Sequence, residues 1–463
     1  MSRLLSISLL LFIIIVQLFS TSCANIVPPS GGPRDTLPPV LVSANPKDST
    51  LNFRNRNITL TFNEYIDLQN AQDNLLFTPL FENVPIIEVR LKTLNIRIRD
   101  TLEPNTTYTF NFGSAIKDVN EGNPFKEFTY TFSTGPYLDS LQLSGRVLLA
   151  ENGRIDSTLT VVLHKDLTDS AVVNKRPRYA ARLDTSGRFV FRNLPRETFA
   201  IYAIGDAGTL RRYTSPSQLF AFGDSTVVAG SSDIVLYAYR EADQAPLRTT
   251  TAQSKEAAAD KRLRIGNNLN NSQHDILTDL VLRSERGFRK LDTAKLRLYS
   301  DTVFTPVNNY TVTHDSARNE LRIATAWQQG TPYRLVIDKD FAEDSTGRKL
   351  LKADTLAFAT RKTTDYGQLR IRVRNIDTSQ NPVLQFVQGE KVDFATPIKS
   401  GSFASNLFLP GEYELRILYD RNNNGVWDPG DFFKRLQPEL VVPIGRKVSV
   451  KPDWENEFDV GLP

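Results

Sequence analysis

The sequence is poor in the residues that bind transition metals or form nucleophile and base pairs. Its 463 residues include one cysteine and three histidines. The histidines are His164, His274 and His314, which lie far apart along the chain. A single cysteine cannot close a disulfide within its own chain. These scarcities argue against a zinc or iron site and against histidine or cysteine catalysis.

The chain also lacks an excess of one charge. It carries 56 Lys and Arg against 52 Asp and Glu, which gives a formal net charge of +4. Because the basic residues are interspersed with acids, no nucleic-acid partner is predicted. The sequence has no G-x-S-x-G, Walker or H-E-x-x-H motif. The carboxylate pairs Asp338 with Asp340 and Glu412 with Glu414 lie beside turns, where solvated acids are expected, so we predict that the protein is not an enzyme.

The N-terminal segment has the pattern of an export signal. Arg3 is followed by an apolar run from Leu4 to Phe19 and then by Ser20, Thr21 and Ser22 before Cys23. The run is short for a membrane span and ends in small residues, as secretory signals do. We therefore predict a signal peptide over residues 1–22.

This segment resembles a bacterial lipoprotein signal, although Ser20 stands where such signals usually carry Leu. The resemblance implies that Cys23 receives lipid and that residues 23–34 form a lipidated tether to the membrane. Ala24 and Asn25 follow the cysteine in place of an Asp, which by the same resemblance points to the outer membrane, with the periplasmic or cell-surface face left open. The alternative is an ordinary secretory signal followed by a spare thiol.

Beyond the tether the hydrophobic period is two. Segments such as Asn57 to Phe62 and Thr107 to Phe112 alternate apolar and polar residues and are separated by Pro, Gly, Asn and Asp. This pattern is typical of half-buried strands and predicts an all-β chain of tandem sandwiches. Residues 35–135 resemble the bacterial Ig-like domain of the SbsA type, through Pro38 and Pro39, "LTFNEYID" and "L-x-P-N-T-T-Y-T-F".

The residues after 135 follow a different sequence pattern, and both patterns then recur along the chain. Residues 142–240, with "DTSGRFVFRNLP" and "FAIYAIGD", resemble transthyretin-like or carboxypeptidase-regulatory-like sandwiches. Residues 262–361 look like a diverged second Ig-like domain, since Tyr333 to Thr360 repeats Tyr108 to Thr134. Residues 365–463 look like a second transthyretin-like sandwich. The polar stretch 241–261 is predicted to be a linker or a short helix, or else to replace the first strand of the third domain.

One loop has the spacing of a calcium ligand set. The sequence D-R-N-N-N-G-V-W-D-P-G-D places oxygens at positions 1, 3, 5, 7, 9 and 12 and Gly at position 6, as in EF-hand loops. The predicted ligands are, in chain order, Asp420, Asn422, Asn424, the carbonyl of Val426, Asp428 and Asp431. Apart from this structural Ca²⁺ no cofactor is predicted. The alternative is a strand-to-strand loop in which Asn424 and Gly425 supply positive φ and the acids cap their own backbone.

Short motifs of Asp followed by Ser or Thr recur along the chain. They include the tripeptides that begin at Asp35, Asp100, Asp169, Asp292, Asp315 and Asp354. They resemble the O-glycosylation site of exported Bacteroidota proteins, as does the order of the domains, and Thr36 is the candidate acceptor. Asp-Ser and Asp-Thr are also common at the start of turns, which is the alternative reading.

Together these features predict a non-catalytic cell-envelope lipoprotein that acts as a spacer, scaffold or adhesion module. Its expected partners are the membrane, through the lipid anchor, and an envelope protein or a glycan. The competing hypothesis is a glycan- or peptide-binding lipoprotein that uses the end loops of the β-sandwiches. Exposed aromatic residues near 206–222 and 420–433 would favour binding.

Overall fold

The computed structural model describes residues 34–205, 208, 210–241, 262–316 and 318–462. The predicted signal peptide, Cys23 and almost all of the predicted linker lie outside the described residues. The chain separates into two compact units, residues 1–140 and residues 141–463. We call the segments 35–135, 142–240, 262–361 and 365–463 modules 1 to 4.

Module 1 is built from three small antiparallel sheets, in the orders β1-β2-β6-β5, β4-β7-β9 and β3-β8. Its core is rich in aromatic rings, among them Phe62, Phe110, Tyr130 and Phe132. The elements are β1 Leu41–Asn45, β2 Asn57–Phe62, β3 Ile66–Leu68, α1 Ala71–Asn74, β4 Leu76–Thr78, β5 Ile86–Arg90, β6 Thr93–Arg97, β7 Thr107–Gly113, β8 Ile116–Asp118 and β9 Phe128–Ser133.

Module 2 packs two sheets face to face around a core that includes Val147, Phe189, Ile201 and Leu236. The sheet orders are β13-β10-β17, with β10 and β17 parallel, and β12-β11-β14-β15, with β16 also paired to β14. The elements are β10 Leu141–Leu149, β11 Thr160–His164, α2 Ala171–Asn174, β12 Tyr179–Arg182, β13 Arg188–Leu194, β14 Thr198–Ile204, β15 Phe220–Phe222, β16 Val227–Val228 and β17 Ile234–Ala238.

Module 3 has the sheets β18-β20-β25-β24, β19-β28-β26-β22-β23 and β21-β27 around its own core of Leu282, Leu298, Leu335 and Phe341. The strands are β18 Ile265–Asn267, β19 Gln273–His274, β20 Leu280–Ser284, β21 Phe288–Leu291, β22 Leu296–Ser300, β23 Thr305–Pro306, β24 Thr311–Asp315, β25 Glu320–Ala324, β26 Pro332–Ile337, β27 Ala342–Asp344 and β28 Asp354–Thr360. Single 3₁₀ turns lie at Thr293–Lys295 and Thr363–Asp365.

Module 4 again packs two sheets, β32-β29-β35 and β31-β30-β33-β34, over a core that includes Ile371, Phe386, Leu415 and Val448. Its strands β29 and β35 are parallel, as β10 and β17 are in module 2. The strands are β29 Gly367–Arg374, β30 Pro382–Gln388, β31 Lys391–Pro397, β32 Ser402–Phe408, β33 Gly411–Tyr419, β34 Leu440–Val450 and β35 Glu455–Gly461, with a 3₁₀ turn at Thr378–Gln380.

The predicted all-β fold of tandem sandwiches is confirmed. Helical segments in the described part of the chain are single turns of three or four residues, and none there is long and apolar enough to cross a membrane.

Modules 1 and 3 each contain a corner with the same pattern of hydrogen bonds. The Tyr108 hydroxyl accepts the Glu103 N–H at 2.9 Å and the Thr134 hydroxyl donates to the Glu103 carbonyl at 2.6 Å. In module 3 the Tyr333 hydroxyl accepts the Gln328 N–H at 3.2 Å, and Thr360 donates to the Gln328 carbonyl at 2.5 Å. The repeated sequence therefore builds the same local structure twice.

Candidate functional site

The loop Asp420–Asp431 follows β33 and begins with a buried carboxylate. The Asp420 side chain is 1% exposed, and its two oxygens accept the backbone N–H groups of Asn424 at 3.2 Å and Gly425 at 2.6 Å. Positive φ falls at Asn423 and Gly425, at 58° and 76°. Of the Asn424-Gly425 pair that the turn alternative assigned, Gly425 therefore has the positive φ, and the second positive φ lies at Asn423 rather than Asn424.

Four of the predicted calcium ligands gather at this loop. The side-chain amides of Asn422 and Asn424 both donate to Asp428 Oδ2, at 2.6 and 2.7 Å. Their Oδ1 atoms accept the backbone N–H groups of Asn424 and Val426, at 3.0 and 2.7 Å. These oxygens are thus engaged within the loop's own turns, in the way that Asx residues stabilise tight turns.

The twelfth position of the loop is directed elsewhere. The carboxylate of Asp431 lies 2.8 Å from Lys434 Nζ and accepts the Lys434 N–H at 3.0 Å. These bonds to Lys434 lower the pKa of Asp431. Within the described residues, no group of three or more His, Cys, Asp and Glu side chains is placed to hold a metal ion. The side chains at positions 1, 3, 5 and 9 lie together and the side chain at position 12 does not join them, so calcium binding stays a prediction.

A second buried carboxylate closes the base of the loop. Glu439 is 4% exposed and accepts the N–H groups of Arg421 at 2.7 Å and Asp428 at 3.1 Å. Burial raises the pKa of Glu439, although the two N–H donors oppose this shift. The Trp427 indole donates to the Glu439 carbonyl at 2.7 Å. The loop is therefore a rigid, internally bonded element whose tip and exit are held in fixed positions.

The exit of this loop reaches module 2. We call residues 430–438 the clasp. Its Phe432 ring is fully buried although it lies outside the module 4 core, and it contacts four rings of module 2. The centroid distances are 5.9 Å to Tyr202, 6.1 Å to Tyr213, 5.1 Å to Phe220 and 5.3 Å to Phe222. All four contacts are edge-to-face, the favoured geometry for aromatic pairs.

Hydrogen bonds fix the clasp at its edges. The Phe432 N–H donates to the Glu241 carboxylate at 2.8 Å. The Gln437 side chain donates to the Phe222 carbonyl at 3.1 Å and to Asp224 Oδ1 at 2.7 Å. A half-exposed ion pair joins Arg435 to Asp169 at 3.2 Å. The apolar centre is thus surrounded by polar contacts, as at a protein–protein interface.

A second contact joins the same two modules through β34. The Val441 N–H donates to the Ala150 carbonyl at 2.9 Å. Arg154 forms ion pairs with Glu390 and with Glu414, the latter at 3.5 Å. A Cβ on Gly153 would lie 2.4 Å from Pro443 Cδ, so this approach requires glycine. Modules 2 and 4 are therefore packed together although module 3 separates them in the sequence.

This packing decides where the aromatic residues of the two predicted binding loops lie. Tyr213, Phe220, Phe222 and Phe432 are all 3% exposed or less, whereas Phe433 is 64% exposed. Between the modules an open cleft of about 440 Å³ is lined by residues that include Tyr237, Tyr419, Arg421, Gln437 and Glu439. Asp206, at the start of the first loop, lies outside the described residues.

The remaining candidates are spread over the surface. Thr36 is exposed, beside an Asx turn in which Asp35 accepts the Leu37 N–H at 2.9 Å. The hydroxyl residues of the other named Asp-Ser and Asp-Thr motifs are exposed too. Asp338 pairs with Arg297 at 2.9 Å, and Asp340 pairs with Lys349 at 3.5 Å. Both acids are thus engaged by cations of their own.

Sequence reasoning missed the clasp. Phe432 and Phe433 were included only as the end of a loop, and nothing in their local pattern distinguishes the buried ring from the exposed one. A signal was present in module 2, where Phe199 to Ile204 is a continuous apolar run. Such a run indicates a strand that is covered on both faces rather than one.

Comparison with known proteins supports the assignment of module 1. Residues 35–134 match the family model of the bacterial Ig-like domain, which confirms that the first module is Ig-like. A search of curated proteins found no match.

Comparison with solved structures gave matches of low score, three of which follow. The Bacillus anthracis TIE protein is 12% identical over 94% of this chain and 76% of its own, with a TM-score of 0.17. The N-terminal part of the bacterial S-layer protein SbsC is 18% identical over 44% of each chain, with a TM-score of 0.16. The major pilin subunit BcpA of Bacillus cereus is 10% identical over 70% of this chain and 99% of its own, also with a TM-score of 0.16. Scores this low say nothing of a shared arrangement or function.

Proposed function

We propose that this protein is a non-catalytic cell-envelope lipoprotein that holds other envelope components at a distance, as a spacer, scaffold or adhesion module. Its anchor is lipidated Cys23 on the outer membrane. The observation that carries the spacer role is the burial of Tyr213, Phe220, Phe222 and Phe432 in a contact between modules 2 and 4. Side chains that a binding loop would offer to a ligand are used here to fix one module against another.

The electrostatics of the described residues are consistent with this role. Surface carboxylates are engaged by nearby cations, as in Arg370 with Glu457 and Arg374 with Asp459 along neighbouring strands. Each such exposed pair contributes less than about 1 kcal/mol, so these pairs keep the surface soluble rather than create a reactive centre.

The anchor is tested by intact-mass spectrometry of the processed protein. We expect a chain that begins at Cys23 and carries the added mass of acyl groups. In a Cys23→Ala variant we expect the protein to leave the membrane fraction, because two or three acyl chains are needed for stable attachment. An unmodified thiol on a membrane-bound protein would contradict the proposed anchor.

The face of the membrane is tested by adding protease to intact cells. Cleavage of the mature protein would support adhesion at the cell surface, and protection would support a periplasmic spacer. Lysed cells provide the matched control, since the protein must be cleaved there in either case.

A second candidate, a glycan- or peptide-binding lipoprotein, is favoured by the exposed Phe433 and by the cleft between modules 2 and 4. There Tyr237 and Tyr419 offer aromatic walls and Arg421 a cationic donor. Glycan-array binding that is saturable and lost in Tyr419→Ala would favour this function. Its absence across neutral and acidic glycans, with no saturable peptide, would leave the spacer.

A further inference from the structure

We infer that the clasp is a mechanical joint that transmits tension between modules 2 and 4, and that Phe432 contributes most to its strength. This inference extends the proposed spacer role. The contact between the modules does not depend on that role, which supplies only its biological purpose. Tension that enters the second compact unit at β10 and leaves at β35 then passes directly from module 2 to module 4. The residues that connect the two modules, including module 3, carry no load until the clasp and the neighbouring β34 contact open.

The first step of the argument is the position of the contact along the chain. The bond from the Phe432 N–H to Glu241 Oε1 joins residues 191 positions apart, and the Arg435 to Asp169 pair joins residues 266 positions apart. Module 3 and the segment 242–261 lie within the closed circuit that these contacts make. A force applied at the ends of such a circuit acts first on the contact that closes it.

The second step is the distribution of apolar burial. Phe432 lies outside the core of module 4, and its ring is buried against Phe220 and Phe222 of module 2. A central aromatic ring in a desolvated pocket with polar contacts around it is the arrangement that dominates the binding energy of interfaces. The pocket is closed by Gly430, where a Cβ would lie 2.7 Å from Tyr239 Cζ and 2.7 Å from the Leu436 carbonyl oxygen.

The third step is the matched neighbour. Phe433 has the same side chain and the next position in the sequence, yet it is 64% exposed. Its ring contacts are those to Phe432 at 5.2 Å and to Tyr213 at 6.5 Å. Removal of this ring therefore tests aromatic content without emptying the pocket.

The experiment cuts the full chain between the two modules. A site for a sequence-specific protease is inserted after Ala257, in the segment that lies outside the described residues, and the purified protein is cleaved without denaturant. We expect the two fragments to co-elute in size-exclusion chromatography and to separate only on strong dilution. In Phe432→Ala we expect their dissociation constant to rise at least about 30-fold, and in Phe433→Ala less than about 3-fold.

Fragments of the unsubstituted protein that separate at micromolar concentration would overturn the inference. So would fragments of Phe432→Ala that associate as tightly as those of Phe433→Ala, because module 3 or the β34 contact would then account for the association. Gly430→Val keeps the test decisive if Phe432→Ala is unstable, since its side chain obstructs the pocket from the module 4 side. None of these outcomes depends on Cys23, so failure of the joint is distinguishable from failure of the lipoprotein anchor.

The load path is measured by stretching the uncut chain from both ends in a single-molecule instrument. We expect an early rupture, before any module unfolds, that is followed by lengthening as the connecting residues come under tension. This event should be absent in Phe432→Ala and present in Phe433→Ala. Identical traces for the two variants would overturn the assignment of Phe432.

Discussion

The two sheets of module 2 differ in how their outward faces are covered. In β13 burial alternates, and the outward Val190 is 40% exposed. In β14 every residue after the first is buried, and the outward Tyr202 is 2% exposed beneath the clasp. The same module thus presents one face to solvent and offers the other to module 4. A sandwich strand without polar alternation marks a face that another part of the chain covers.

The largest expected effect comes from emptying the covered face. Tyr202→Ala should lower the opening free energy of β14 and β15 by about 3 to 5 kcal/mol, because a buried ring is replaced by a cavity. Val190→Ala, on the exposed face, should cost less than about 1 kcal/mol. Hydrogen exchange of the full chain, resolved to individual strands, measures both. Equal costs would show that the clasp does not bury the outward face in solution.

Within module 2, a histidine-dependent pH effect should come from the covered face. His164 lies beside Tyr202, and burial lowers its pKa to about 4, with a smaller raising effect from Asp166 and a smaller lowering effect from Lys175. Since the unfolded side chain titrates near 6.5, stability present at neutral pH falls between about pH 6.5 and pH 4, by up to about 3 kcal/mol.

Equilibrium unfolding at a series of pH values checks this effect. His164→Phe should flatten the slope below pH 6.5, while the share of the buried His274, whose pKa burial also lowers, remains. His314, exposed on the edge strand β24, is the control position for the same substitution. An unaltered slope in His164→Phe would contradict the assignment.

A third prediction concerns calcium at the Asp420–Asp431 loop, which precedes the clasp in the chain. If Asp420, Asn422, Asn424 and Asp428 hold Ca²⁺, saturation at one hundred times the dissociation constant should stabilise the chain by about 2.7 kcal/mol. Asp428→Ala should abolish this gain, and Asp431→Ala should retain it because that carboxylate is bound to Lys434. Thermal unfolding with Ca²⁺ or with chelator is the measurement. No shift in midpoint would leave the loop as a turn fixed by its own amides.

The smallest effect is expected at the rim of the clasp. Arg435→Ala removes a half-exposed ion pair to Asp169 and a guanidinium that lies 5.4 Å from the Phe222 ring centroid. Such contacts contribute about 0.5 to 1 kcal/mol each at exposed sites. Together they amount to about 1 to 2 kcal/mol, so the dissociation constant in the fragment-association assay should rise about 5- to 30-fold, less than in Phe432→Ala. A rise in the dissociation constant as large as that of Phe432→Ala would show that the edge of the joint contributes as much binding energy as its apolar centre.

The sandwich architecture was predictable because it depends on local periodicity. Strands such as β2 and β29 alternate buried and exposed residues along their length, and this period of two is visible in the sequence. The corner formed by Tyr333 and Thr360 was foreshadowed by its likeness to Tyr108 and Thr134. In both cases the residues that determine the structure are close together in the chain or are repeated within it.

The joint was not predictable because it depends on the meeting of distant surfaces. The pocket of Tyr202, Phe220 and Phe222 is completed by a residue more than two hundred positions later. Each of these rings alone is also compatible with an ordinary core. In the calcium-like loop the spacing of oxygens was correctly noted, but spacing does not show that Asn422 and Asn424 direct their amides to Asp428 or that Lys434 engages Asp431.

The fully buried Phe432 has a practical consequence for dissection of the molecule. A truncated chain that stops before Gly430 would expose Tyr213, Phe220 and Phe222 to solvent. This apolar surface would favour self-association. Any fragment meant to represent modules 1 and 2 would therefore need solubilising substitutions at these positions, or a supplied peptide that carries Phe432, before its behaviour could be attributed to the native protein.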